Sequence, residues 1–314
     1  MFQNSFLSLA QNKKLRCERF LDEMNGVIPW AKLLEEILPY YEQKETGRNR
    51  KEMMLMLKIY FLQQWYNLSD PGAEEAIYDR NSFQKFLGID LLAESVPDET
   101  TILNFRHLLE DHNLQERFFE VVNHILEEKG LLMKEGTIVD ATIIKAPSST
   151  KNKTKKRDPE MSSTKKGNDW FFGMKAHVGV DDKSGLVHTL KTSTAKLGDN
   201  AMAEELWHGS EKRKFGDKGY YAQKAKHAAR ADGIFWGVLD RGKRGHPLSS
   251  SQKKRNKKLS SVRSKVEHPF QVLNCQWKYE KVRYRGLHKN TMQMFSLFAL
   301  INLFKVRRKL LCSA

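Results

Sequence analysis

A chain of 314 residues has room for two domains and a sizeable core. Its net charge is +16, and no apolar run approaches the ~20 residues of a membrane span, so neither an acidic tail protein nor a membrane-embedded one is expected. The three cysteines, Cys17, Cys275 and Cys312, lie far apart, with neither metal spacing nor a disulfide framework, and point to a reducing compartment.

The opening MFQNSFLSLAQNKK lacks a basic stretch followed by a real apolar one, so no secretory signal is expected. Charge is divided unevenly. Residues 1–135 hold 16 Lys and Arg with 23 Asp and Glu, whereas residues 136–314 hold 38 with 15. Segment 241–265 carries ten basic residues and no acid. A strongly basic half is the footprint of a polyanion partner, usually nucleic acid. The blander alternatives are a solubility device or a surface for anionic lipid. The lack of an amphipathic basic helix disfavours the lipid.

Residues 1–130 read as an all-helical domain. Trp30, Leu33, Leu34, Ile37 and Leu38 follow Pro29 at helical spacing and stop near Pro39. KEMMLMLKIYFLQQWY, residues 51–66, is apolar enough to be a core helix. Ser69, Asp70 and Pro71 make a cap-plus-proline helix start, with Glu74 and Glu75 behind them. Pro97, Asp98 and Thr100 repeat the device before Ile102, Phe105, Leu108 and Leu109. Helix-turn-helix reading of DNA and a dimerisation role both remain open for this domain, because its acidic balance argues against broad phosphate contact.

From Gly136 the texture changes, and residues 131–314 read as a second domain. GTIVDATIIKA is short and β-branched, which predicts a buried strand. SSTKNKTKKRDPEMSSTKKGND has almost no apolar residues and predicts a flexible basic loop, centred on 151–166. WFFGMKAHVGVD and GLVHTLKTST predict a hairpin turning at Asp181–Gly185. DNAMAEELWHG predicts a short helix with Asp199 as its cap. KRKFG, AQKAKHAARAD and IFWGVL predict strand, helix and strand, and 241–258 a second basic loop. The apolar residues Leu259, Val262, Val266, Phe270, Leu273 and Trp277 then mark one helix over 259–280, with Glu267 beside the stripe and Arg263 four residues earlier on the same face. This element order, with three strands first, predicts an α+β chain whose second domain is an RNase H-like mixed sheet flanked by helices.

Asp140 interrupts an apolar strand as TIVDAT, and a carboxylate there is costly unless it is paired or binds a cation. Asp217 follows the fourth strand in FGDKGY, where sheets display functional groups, although turn aspartates are common. In the expected fold these two strands are neighbours and the last helix crosses them, so Asp140, Asp217 and Glu267 would converge. Clustered carboxylates repel one another and suit hard cations such as Mg²⁺ or Mn²⁺, and two such ions can clamp an in-line phosphoryl transfer. His177 and His188 in strands read first as structural residues. His268, Lys218, Tyr220 and Tyr221 stand beside the acids and are weaker candidates.

These blocks resemble, in order and over most of the chain, the bacterial DDE transposases of insertion sequences, specifically the insertion-sequence-five group. SDPGAEEAIYDRNSFQKFLGI and PDETTILNFRHLLE are similar to that group's N-terminal domain. IVDATIIKAPSSTKN and GDKGYY are similar to its two Asp motifs, and VRSKVEHPFQVLN with KVRYRGLHKN to its Glu motif and tail. The resemblance implies Asp140, Asp217 and Glu267 as a catalytic triad holding two Mg²⁺ or Mn²⁺ ions. It implies cleavage at the ends of a mobile element and strand transfer into target DNA. The implied partners are double-stranded DNA, both terminal inverted repeats and target, and a second copy of the chain on that DNA. The implied location is the bacterial cytoplasm, with the nucleoid. The family signature Tyr-x₂-Arg-x₃-Glu-x₆-Lys is met at Arg263 and Glu267, but Ser260 stands at the Tyr position and Asn274 at the Lys position, with Lys278 as a substitute cation. DNA contact is expected from Arg263, Lys218, Asn274, Lys278 and the loop lysines Lys253, Lys254, Lys257 and Lys258. An RNase H-fold nuclease without strand transfer, or an inactive DNA-binding copy, are the alternative readings.

Overall fold

The computed structural model describes residues 14–41, 50–153, 155–242 and 245–312. The reading of the chain start lies outside the described residues. The chain divides into two compact units: described residues up to His112 together with those from Leu303 onward, and Asn113–Asn302.

The first unit contains α1 (Arg16–Val27), α2 (Trp30–Ile37), α3 (Met53–Tyr66), α4 (Asp70–Asp79), α5 (Asn81–Leu87) and α6 (Glu99–Asp111). Helix α3 is apolar all round and buried from Leu55 to Trp65 save Lys58, which makes it the central element. Ser69 caps α4 by accepting the Gly72 N–H, and Asp98 caps α6 by accepting that of Thr101. Asp70 does other work. Its carboxylate accepts from the buried Arg106 at 2.9 Å and from the Gln63 side chain at 2.9 Å, while Arg106 also reaches Glu110 at 2.7 Å. A charge as deep as Arg106 is tolerated only with such partners.

The second unit starts at Asn113 and opens with α7 (Leu114–Glu128), upstream of the border expected at residue 130. Its apolar stripe packs here, with Phe119 against Phe295. Amphipathic spacing shows that a helix has a buried face but not which neighbour covers it. The strands follow as β1 (Gly136–Lys145), β2 (Ser162–Lys166), β3 (Asp169–Asp181), β4 (Val187–Thr194), β5 (Arg213–Gly216) and β6 (Phe235–Val238). Their order is β4-β3-β1-β5-β6, with β1, β3 and β4 antiparallel and β1, β5 and β6 parallel, which is the RNase H-like topology. Between strands lie α8 (Ala203–Leu206) and α9 (Gln223–Ala231); α10 (Ser250–Arg263) and α11 (Glu267–Gln271) follow β6, and α12 (Leu287–Cys312) runs to the last described residue.

Four local expectations are corrected. Residues 162–166 of the supposed loop form β2, a ribbon with the first part of β3, turning at Gly167 with φ +64°. Residues 250–258 of the other supposed loop are helical: Ser249 and Gln252 form a capping box for α10. The helix expected over 259–280 is not continuous. Pro269 has no N–H for the Lys265 carbonyl, so α10 gives way to a 3₁₀ turn at Ser264–Val266 and a new helix starts at Glu267, with Pro269 in its first turn. A π segment, Val272–Gln276, follows. The overwound and underwound pieces offset each other, and Val266, Leu273 and Trp277 stay buried on one side. Finally, Asp199 does not cap its helix; the helical turn at Asp199–Met202 is 3₁₀, without a side-chain cap.

Asn302 ties α12 to the edge of the sheet. Its Oδ1 accepts the Val187 N–H at 2.9 Å, and its Nδ2 donates to the Val187 carbonyl at 2.7 Å and to Asn123 at 2.8 Å. Asn302→Ala should lower unfolding stability by about 2–4 kcal/mol, since it strands both polar groups of a buried backbone unit. Urea denaturation followed by circular dichroism measures this, and an unchanged midpoint would refute it.

Candidate active site at the carboxyl end of β5

Pairing of β1 with β5 ends at Val139 opposite Gly216. The next residue on each strand is an aspartate, so Asp140 and Asp217 leave two neighbouring parallel strands at the same level. Asp140 is 19% exposed; its Oδ1 accepts the Ala141 N–H at 2.9 Å and its Oδ2 faces Nη2 of Arg263 at 3.4 Å. Burial pushes its carboxyl above the usual range, the Ala141 N–H and Arg263 oppose that, and the Asp217 charge adds to it. Asp217 is half-buried, and its Oδ1 accepts the Gly219 N–H at 2.6 Å. A Cβ at Gly219 would stand 2.8 Å from that oxygen, so a larger residue there would push the Asp217 carboxylate aside.

Arg263 therefore reaches Asp140, not Glu267, whose helix face it was expected to share. Glu267 is exposed and has no ion pair among the described residues. Among the described residues no three Asp, Glu, His or Cys side chains stand close enough together to hold a metal ion. The structure thus joins Asp140 with Asp217 and Arg263 and leaves Glu267 apart, at the start of α11 just beyond the 3₁₀ turn. The donor chemistry nevertheless fits a hard divalent cation: the groups are carboxylates, and Asp140 carries a charge that burial and Asp217 both disfavour.

The other sequence candidates separate clearly. Lys218, His268 and Lys278 are exposed, and Asn274 is half-buried in the π segment. Lys278 lies past the helix end with φ +55°, so the chain has left the helical path from Glu267 before it reaches this cation. Lys253, Lys254, Lys257 and Lys258 are all exposed on α10. His177 and His188 are buried and held neutral by burial, at about 4 and about 3. His177 bonds Ser193 at 2.8 Å; His188 bonds Thr137 and Thr189. They are structural, as their strand positions suggested.

One residue escaped the sequence reading. Buried Lys175 of β3 donates to Asp199 and to the Leu197 carbonyl, both at 2.8 Å. Burial drives the Tyr220 phenol far above its ordinary range, and the charges of Asp199, Asp140 and Asp217 add to it. The Tyr220 hydroxyl is buried without a hydrogen-bond partner among the described residues. A lone lysine inside the apolar WFFGMKAHVGVD was the available signal, because a buried ammonium requires an acid nearby.

An RNase H-like sheet with a carboxylate pair at the end of its central parallel strands defines a polynucleotidyl-transferase type of site. Residues 132–303 match the transposase DDE domain, and residues 9–108 match a family described as a transposase domain. The chain belongs to the DDE transposase family and is an enzyme that cleaves DNA and transfers strands. Enzymes of this family use divalent metal ions. Among solved structures, the chain is similar to the piggyBac transposase, seen by cryo-electron microscopy in a synaptic complex with hairpin DNA. The identity is 11%, the TM-score 0.48, and the match covers 95% of this chain and 75% of that one. Among the described residues no helix is long and apolar enough to cross a membrane.

Because the folded state raises the Asp140 pKa, folding binds this proton more tightly than the unfolded chain does. The group's contribution to stability is greatest in acid and is lost as pH rises from the unfolded value to the folded one. At neutral pH without metal the ionised Asp140 is a cost, so Asp140→Asn should stabilise the protein by about 0.5–2 kcal/mol while removing cleavage. Thermal melting in EDTA at pH 7.5 tests this; a lower melting temperature for the variant would show that Arg263 outweighs burial.

Proposed function

We propose that this chain is an insertion-sequence transposase of the insertion-sequence-five group, acting on the ends of its own element. The observation that carries the reading is the level placement of Asp140 on β1 and Asp217 just past β5, with Arg263 at the end of α10 facing Asp140 and Glu267 opening α11 one 3₁₀ turn later. Asp140, Asp217 and Glu267 would hold two Mg²⁺ or Mn²⁺ ions, which when bound supply positive charge at the phosphate being transferred. Arg263 screens Asp140 until those ions bind, then stands ready to contact the phosphate of the bound strand. Lys218, exposed beside Asp217, faces the same strand. The exposed lysines of α10 lie four residues apart in two rows, about 6 Å along the axis, and hold the duplex through its phosphates without reading sequence. Asn274 and Lys278 extend that contact. The helical first unit reads the terminal inverted repeats, dimerises, or does both, and a homodimer brings two ends together on DNA in the cytoplasm.

The test is Mg²⁺-dependent cleavage of a supercoiled plasmid carrying the gene's own flanking DNA. Wild type should cut at the element boundaries. Asp217→Ala and Glu267→Gln should lower cutting at least about 10³-fold while leaving DNA affinity within about threefold. Equal cutting by wild type and Glu267→Gln would move the third carboxylate elsewhere. Binding without cutting, or cutting without strand joining, would favour a copy that only binds or a plain nuclease. Neutralising Lys253, Lys254, Lys257 and Lys258 together should weaken binding to every sequence and lower the slope of log K against log salt by about 3–4. An unchanged slope would take α10 out of the interface.

A further inference from the structure

A second cationic site lies in the same unit, away from the carboxylates. Beyond Val139, β1 has no β5 partner, yet it continues against β3 to Lys145. Five further residues from Asp140 at ~3.3 Å each carry the strand about 17 Å onward. There the chain turns through Ala146 and Pro147 into one wall of a cavity of about 200 Å³, and Val282–Arg285 form the other wall.

Both walls are built, not draped. Val282 N–H donates to the Lys145 carbonyl at 2.8 Å, and Lys145 N–H to that of Glu280 at 3.2 Å. Gly286 N–H donates to Asp158 at 2.7 Å and Leu287 N–H to Glu160 at 2.6 Å. The Asn152 side chain accepts the Lys156 N–H and donates to its carbonyl, closing that turn. The Asn290 side chain does the same for the backbone of Tyr284. Much of the expected flexible basic loop is thus a fixed wall.

Arg157, Arg283 and Arg285 line the cavity. The carboxylate among its described lining residues, Asp158, already accepts two backbone N–H groups, from Glu160 and Gly286. Arg157 spends its Nε on the Ser148 carbonyl at 2.8 Å and lies 5.4 Å over the Phe172 ring, which orients its outer nitrogens. Three guanidinium groups around a preorganised concavity match a tetrahedral anion that accepts paired hydrogen bonds. At about 200 Å³ the space is below the ~300–1,000 Å³ of sites that enclose a drug-sized ligand, so it takes a phosphate with part of its sugar and not a base.

We propose that this cavity is a phosphate-binding subsite that holds the DNA strand running away from the carboxylate pair. At ~3.4 Å of axis per phosphate, a span of about 17 Å places the bound phosphate within about five nucleotides of the scissile one. The inference rests on the transposase reading, because the strand is positioned by Asp140 and Asp217.

The experiment uses the full chain in EDTA and an end duplex whose cleavage point has been mapped. In each of a series of duplexes one phosphate near that point is replaced by a neutral methylphosphonate. Wild type should lose about tenfold in affinity at one position within five nucleotides of the cut. Arg285→Ala changes an exposed residue; it should bind the unmodified duplex about tenfold more weakly and show no further loss at that position. Arg285→Lys, which keeps the charge but loses the fork, should fall between. If that position stays sensitive in both Arg285→Ala and Arg283→Ala, or if no position in the window is sensitive while cleavage with Mg²⁺ is normal, the subsite is wrong and the active site stands. If wild type neither cuts nor responds to neutralisation at any position, both readings fall together.

Discussion

The constraint on which the second unit depends is the parallel pairing of β1 with β5. It ends with Val139 opposite Gly216, and each strand then presents a carboxylate. Two like charges on adjacent strands, partly out of water, are unfavourable, and the surrounding groups answer that cost. Arg263 faces one oxygen of Asp140, backbone N–H groups satisfy one oxygen of each acid, and Tyr220, buried at the same turn, stays protonated beneath them. Lys175 pairs with the further acid, Asp199, on neighbouring elements.

Arg263 reaches Asp140 from a helix, α10, whose first half is docked beside β6. Asp240, just past β6, accepts from Arg255 at 2.9 Å and Lys226 at 3.3 Å, and its backbone is bracketed by the Asn256 side chain. Arg255 also donates to the carbonyls of Trp236 and Val238. From Arg255 to Arg263 is eight residues, about 12 Å of helix. From β6 to β1 is two strand spacings, about 9.5 Å. The helix is therefore the right length to start on β6 and deliver a guanidinium to β1. Lys265 then fastens the 3₁₀ turn to the β3–β4 corner through the Asp182 carbonyl at 2.6 Å. Sheet order and helix length together decide which cation meets which acid, and this is why Arg263 serves Asp140 although Glu267 is nearer in sequence.

What was legible in the sequence was what apolar periodicity and glycine punctuation carry. TIVDAT announced a strand with an acid inside it, FGDKGY announced a strand end with an acid beside it, and the strand order followed. What was hidden is held by polar groups or by partners. Helix α10 buries only Leu259 and is fixed by the Ser249–Gln252 box and by Arg255 and Asn256, so its composition reads as loop. Strand β2, SSTKK, has no apolar alternation and is a strand only because β3 pairs with it. Pro269 was visible and decisive, yet a stripe that stays buried through 3₁₀, α and π segments looks continuous when only apolar positions are counted. The Lys175–Asp199 pair joins residues 24 apart, a separation no local pattern encodes.

Positive charge is carried in this unit in two physically different ways. The lysines of α10 are exposed point charges on long flexible stems; each adds a screened, nearly independent attraction to any phosphate chain, and salt weakens all of them alike. At the cavity at the end of β1, Arg157 is tied to the Ser148 carbonyl and the backbone of its wall is bonded across to the other wall, so part of the entropy of arranging that cluster is spent on folding and not on binding. A surface of the first kind determines that a polyanion is held. One of the second kind determines where along the polyanion it is held, since a fixed fork rewards only the phosphate that meets it. An enzyme that must cut at one phosphate among many needs register as well as affinity. The stretch of β1 from Asp140 to Lys145, paired with β3 but not with β5, runs from the carboxylates to that fork.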